Sequence, residues 1–187
     1  TASSLSVVNL DGNQVSGDSG VNRAGALIHA AILGARPDIN YSAHTHTRAG
    51  AAVSGMKCGL LPISQHAGMV LPTVCTHPYQ DVTSAEDECE ALARDIGQNF
   101  AMIMENHGLL TCGRSVRECF YYLYYLETAC KIQIDVMSSG QDPILLSDKI
   151  INGLYFRDGV PEKEPYGVED WEPQVRWLDK NMPGFRD

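Results

Sequence analysis

Helical and strand patterns alternate along these 187 residues, which predicts a layered α/β or α+β domain. Three observations carry that reading. An apolar stripe at helical spacing over about residues 22–36 runs into a short strand pattern at 40–46. Two further strand patterns, Phe100 to Glu105 and Leu109 to Cys112, flank an Asn106-His107-Gly108 turn. A long helical pattern of about 116–138 follows at once.

Taken in order, residues 5–15 (LSVVNLDGNQV) predict a hairpin about Asp11-Gly12, a pair suited to positive φ. A Gly- and Ser-containing loop leads to the first helix, with Leu27, Ile28, Ala31, Ile32 and Ala35 on one face. Arg36-Pro37-Asp38 ends it, because a residue before proline avoids the helical region. After the strand, Thr47 is placed to cap a short helix reaching Val53. Residues 58–76, apolar and punctuated by Pro62 and Pro72, predict short strands and loops. Ser84 and Asp87 resemble a capping box opening a helix of about 84–96. Ser115 caps the longest helix, on which Val116, Cys119, Phe120, Leu123, Leu126, Cys130, Ile134 and Met137 recur at intervals of three and four. Ser138-Ser139-Gly140 stops it, and one short helix is expected near 170–180.

Composition excludes several classes. With 44% hydrophobic and 20% charged residues the chain builds a core rather than staying disordered. A net charge of −9 without a basic stripe argues against a nucleic-acid partner. No run reaches the roughly 18 apolar residues of a membrane helix. No basic-then-apolar leader is visible after Thr1. Six scattered cysteines without a CxxC read as reduced thiols, Cys119 and Cys130 buried, which sets a cytoplasmic expectation.

The stretch NYSAHTHTRAG holds the chemistry. On a strand, His44 and His46 share a face, with Cβ atoms about 7 Å apart, and two imidazoles at that spacing can converge on one ion. Two surface histidines are the bland alternative. The strand ends at the pair, and sheet rims are where ligands bind. His107, held on a bend between Asn106 and Gly108, offers a third imidazole. Three protein ligands would leave one position open. His29 reads as a hydrogen-bonded packing residue of the first helix and His77 as a loop residue. His66 is either a loop polar group or a general acid or base. Arg48, at a helix start, is either a holder of a substrate carboxylate or a solvated charge.

Together, ARPDINYSAHTH, AAVSGMKCGLLPIS and ENHGLLTCG before a long helix resemble the class II aldolase/adducin family, in order from Gly20 to Gly140. VNRAGALIHAAILGARPD, AVSGMKCGLLPIS and ACKIQ are similar to the adducin-like branch and its bacterial relatives. The resemblance implies a three-layer α/β/α sandwich with a central, largely antiparallel sheet. It implies a domain over residues 1–140, with 141–187 as a C-terminal extension of it. It implies a divalent metal, usually zinc, on the HxH pair and a later histidine, here His44, His46 and His107. Family members include aldolases of fuculose and rhamnulose phosphates, an epimerase, a dehydratase and a decarboxylase, often as homotetramers with sites between subunits. Adducin heads share the fold and serve the membrane skeleton.

Three departures from the aldolases matter. The metal-binding, proton-taking glutamate before the HxH strand corresponds to Gly25. The tyrosine acid corresponds to about His66. The phosphate-holding Gly-Asn loop has no counterpart before Thr1, so the chain is expected to begin inside the domain. Two functions therefore compete. One is a metal-dependent carbon–carbon lyase of aldolase or decarboxylase type, homo-oligomeric (dimer or tetramer), with Arg48 and Thr47 on a small carboxylate substrate and His66 as acid or base. The other is an adducin-like scaffold with a vestigial metal site.

Overall fold

In the computed structural model, residues 1–79, 85–156 and 166–187 are described. Strands β1 (Val7–Val8) and β2 (Gln14–Ser16) form the expected hairpin, with Gly12 at φ 76° in its turn. Helix α1 (Arg23–Ala35) starts where the Asn22 side chain accepts the N–H groups of Ala24 and Gly25. Strand β3 (Tyr41–Thr45) leads to α2 (Arg48–Ser54), whose Thr47 cap accepts the Gly50 N–H. Then come α3 (Gln65–Gly68), β4 (Val74–His77), α4 (Ala85–Ile96), β5 (Ala101–Met104) and β6 (Gly108–Gly113). Three helices follow, α5 (Val116–Ser138), α6 (Asp148–Phe156) and α7 (Val168–Asn181).

The main sheet runs β3-β6-β5-β4. β6 is antiparallel to both β3 and β5, and β4 is parallel to β5. Side-chain alternation then divides the core in two. Met102, Met104, Leu110 and Cys112 meet Ile28 and Ile32 of α1 and Leu92 and Ile96 of α4. Ala101, Ile103 and Leu109 point the other way, onto Val53, Ala67, Tyr121, Tyr122 and Leu126 of α2, α3 and α5. Helices thus cover both faces of a largely antiparallel sheet, which is the three-layer α/β/α sandwich. Ile32 and Leu92 are wholly buried. Such aliphatic side chains each contribute about 1.5–3 kcal/mol by leaving water.

The structure corrects the local reading in four places. The region of short strands and loops contains a helix: Ser64 accepts the Ala67 N–H and opens α3, so His66 lies on a helical turn. His77 is not in a loop but is the last residue of β4 and is 2% exposed. Helix α6 was not expected at all, since Asn152 and Gly153 weaken its helical pattern. On α5 Cys119, Leu126 and Cys130 are buried as expected, but the buried face differs from the expected stripe at its ends and extends beyond it. Val116 and Met137 are exposed, while Glu118, Tyr121, Tyr122 and Gln133 are buried. Tyrosine rings bury readily if their hydroxyls find partners. Gln133 is retained inside because it accepts the Leu61 N–H at 2.7 Å and donates to the Gly59 carbonyl at 2.8 Å. The capping box of Ser84 and Asp87 falls partly outside the described residues, as Ser84 is not among them. Ser115 does cap α5, accepting the Glu118 N–H.

Candidate metal centre

Two loops at one rim of the sheet bring three imidazoles together. β3 delivers His44, and His46 follows just beyond its end. His107 sits in the turn between β5 and β6, where Asn106 adopts φ 52°. Asparagine tolerates that left-handed conformation better than most residues. The turn is held on α2, because the Asn106 N–H donates to the Ser54 carbonyl and the His107 N–H reaches the Ser54 hydroxyl. Gly108 makes the approach possible. A Cβ there would lie 2.3 Å from the Thr45 carbonyl oxygen, inside any contact distance.

The three ring centroids form a near-equilateral triangle with sides of 4.6, 4.8 and 4.6 Å. One ligand nitrogen from each ring lies within 4.8 Å of the other two. Two nitrogens sharing a zinc ion at about 2.0–2.1 Å can be at most about 4.2 Å apart, so convergence needs only small side-chain shifts. The donor set also suits a borderline-soft ion. The His44 Nδ1–H donates to the Leu109 carbonyl at 2.9 Å, which leaves Nε2 as the lone-pair nitrogen facing His46 Nε2 at 2.7 Å. Burial pushes the His44 pKa down to about 4, opposed by that backbone hydrogen bond and helped by His107 and His46. Burial, then His46, also lowers the pKa of His107. Both rings are therefore in the neutral form, the one that ligates, at neutral pH. The three side chains fit a divalent ion.

The triad opens on a cleft between α1, α4 and the sheet rim, also lined by Asn22, Gly25, Glu88 and His77. Gly25 faces space: a Cβ built there meets nothing nearer than the Asn22 side chain at 3.9 Å. The other sequence candidates stand outside this lining. Thr47 donates to Glu127 while capping α2, so both of its hydrogen-bonding roles are structural. Arg48 is exposed on the first turn of α2. His66 packs its ring 5.8 Å from that of Tyr125. His29, as expected, is a packing residue, bonded through Nδ1 to the Ser42 hydroxyl at 2.7 Å.

Sequence reasoning missed His77 and Asp95. The His77 ring bonds through Nδ1 to the Asp95 carboxylate at 2.8 Å, while its Nε2 is buried and has no hydrogen-bond partner among the described residues. A histidine closing a strand and an aspartate one helix later carry no joint signature in one dimension.

The model of the class II aldolase and adducin N-terminal domain matches residues 1–134. The chain belongs to the class II aldolase/adducin family. Alpha-adducin from Rattus norvegicus is 41% identical over 197 residues, covering 96% of this chain and 26% of its own. The chain thus spans about a quarter of the length of the alpha-adducins it matches. Among solved structures, an aldolase II superfamily protein from Pseudomonas syringae superposes with a TM-score of 0.90 at 38% identity, covering 100% of this chain and 76% of that one. An L-fuculose 1-phosphate aldolase from Glaciozyma antarctica gives 0.81 at 26% identity, covering 96% and 69%. Within this class II aldolase/adducin chain, then, the histidine triad sits beside a glycine at the position where the resemblance implies a glutamate. No described helix is long and apolar enough to cross a membrane.

Proposed function

We propose that this chain is a divalent-metal-dependent carbon–carbon lyase of aldolase or decarboxylase type, acting on a small carboxylate-bearing substrate, with zinc held by His44, His46 and His107. The observation that carries the reading is the convergence of three imidazoles, two of them with depressed pKa, at the mouth of a cleft. When bound, a divalent ion there supplies Lewis-acid polarisation of a substrate oxygen. The chain's own residues prepare that chemistry. The Leu109 carbonyl orients His44, Ser54 anchors the His107 turn, and residues of α1 and α4 wall the cleft. Arg48, as a carboxylate holder, and His66, as an acid or base, belong to the reading through a homo-oligomer, dimer or tetramer, in the cytoplasm.

The test begins with metal content. Protein purified without chelator should carry about one zinc per chain, and His44→Ala should carry none. Screening 2-keto and 3-hydroxy acids for turnover lost on chelation and restored by zinc then defines the substrate. A wild-type protein that takes up no zinc sinks the reading.

Gly25 and the similarity to alpha-adducin favour a second reading, a binding or scaffold protein that keeps the metal site without turnover. It predicts zinc uptake with no turnover on any substrate in that screen, and normal assembly of His107→Ala.

A further inference from the structure

The cleft contains a polar atom that the metal triad leaves unexplained. His77 closes β4 at the same rim of the sheet, paired with Met104 of β5, the strand that runs into the His107 turn. Its ring lies on the α1/α4 side, in register with Cys75, and lines the cleft together with His44, His46 and His107. It is 2% exposed. Asp95 of α4 holds Nδ1 at 2.8 Å, and Arg94 bonds the other oxygen of that carboxylate at 3.0 Å. A carboxylate accepts, so Nδ1 of His77 carries a proton, and in the neutral form of an imidazole so protonated Nε2 is a bare lone pair. That Nε2 is buried and has no partner among the described residues. A buried acceptor without a partner is costly, of order 1–3 kcal/mol, and such atoms mark places where something else completes the hydrogen bond.

From this geometry we infer that His77, oriented by Asp95, is the proton acceptor of the cleft, receiving the hydroxyl proton of the bound substrate in place of the carboxylate missing at Gly25. The inference rests on the lyase reading above. The arrangement of carboxylate, imidazole and reacting hydroxyl follows the logic by which a third group fixes the tautomer of a base. The O–H bond of the substrate breaks and an Nε2–H bond forms. The imidazolium is stabilised by its Nδ1–H donated to Asp95. The electron pair left on oxygen forms the product C=O as the adjacent C–C bond breaks, and the pair of that C–C bond passes to the departing carbon, whose neighbouring carbonyl takes it up as an enolate. His77 is no ligand in this account, since the cluster of converging ligand atoms contains His44, His46 and His107 without it.

The experiment uses the zinc-loaded full chain and two probes. Acetohydroxamate chelates zinc and carries O–H and N–H groups; acetate has neither. Zinc affinity by chelator competition and probe affinity by calorimetry are measured on wild type, His77→Gln and Asp95→Asn. The expected result is zinc affinity unchanged within about threefold in both variants, acetate binding unchanged, and acetohydroxamate binding weakened about tenfold, the scale of one lost hydrogen bond. If His77→Gln destabilises the fold, Asp95→Asn, which keeps the ring and disturbs its tautomer, carries the test alone. Unchanged acetohydroxamate binding in both variants, or failure of the loaded wild type to bind it, overturns the inference while leaving the metal site standing. A loss of zinc affinity in His77→Gln equal to that of His107→Ala overturns it too, by making His77 a ligand. A wild type that binds no zinc fails earlier and removes the lyase reading itself.

Discussion

Gly25 occupies the first turn of a helix, where glycine is normally a cost of about 0.5–1 kcal/mol relative to alanine. The space around it is open, so Gly25→Ala should stabilise the protein by roughly that amount, read as a higher urea midpoint at unchanged slope. A lower midpoint would mean that the cleft wall cannot take even a methyl group. Arg114 and Glu118 present the opposite case. The Glu118 side chain is wholly buried and accepts from the Arg114 backbone N–H and guanidinium. Arg114→Ala strands a buried charge and should cost about 3 kcal/mol, measured by the same titration. The thiols divide by the same physics. Burial pushes Cys112 and Cys130 up to about 12, so at pH 8 neither forms the reactive thiolate, whereas Cys58 is exposed. A thiol reagent added to the native protein should label Cys58 first and leave Cys112 and Cys130 untouched until unfolding.

The elements were legible where their signals are local. Thr47 and Ser115 cap their helices through hydrogen bonds three residues away, and the apolar stripe of α1 reports its own burial. Ser115→Ala should accordingly cost about 1 kcal/mol. β4 was legible only as an unplaced short strand of the 58–76 region, because its four residues carry no alternation and gain their partner, β5, only across a helix. Non-local pairing leaves no trace in the strand's own sequence. The turn before β6 is the element on which the site depends. Gly108→Ala should displace β6 from the Thr45 carbonyl and disperse the triad. The expected outcome is loss of zinc uptake together with a lower melting temperature, whereas His107→Ala should lose zinc and keep the fold.

At the scale of the whole molecule, α1 and α4 together make the cleft, with β4 adding the His77 imidazole to its lining. The acidic net charge of −9 sits poorly with anionic partners such as nucleic acid or a membrane surface. That favours the small-molecule reading over the scaffold reading. The sequence by itself determined α1, α2, α4, α5 and α7, the β-hairpin, the His-x-His pair and the family, since each is written in spacing or in short ordered motifs. The resemblance also implies that Gly25 stands where the aldolases carry a glutamate. Only the tertiary structure decided that His107 meets the pair, that Arg48, Thr47 and His66 lie outside the cleft lining, and that His77 is buried against Asp95. The reason is physical. A ligand triad and an oriented imidazole are made by residues that the chain separates and the sheet register rejoins, and register is set by packing on both faces at once rather than by any local stretch.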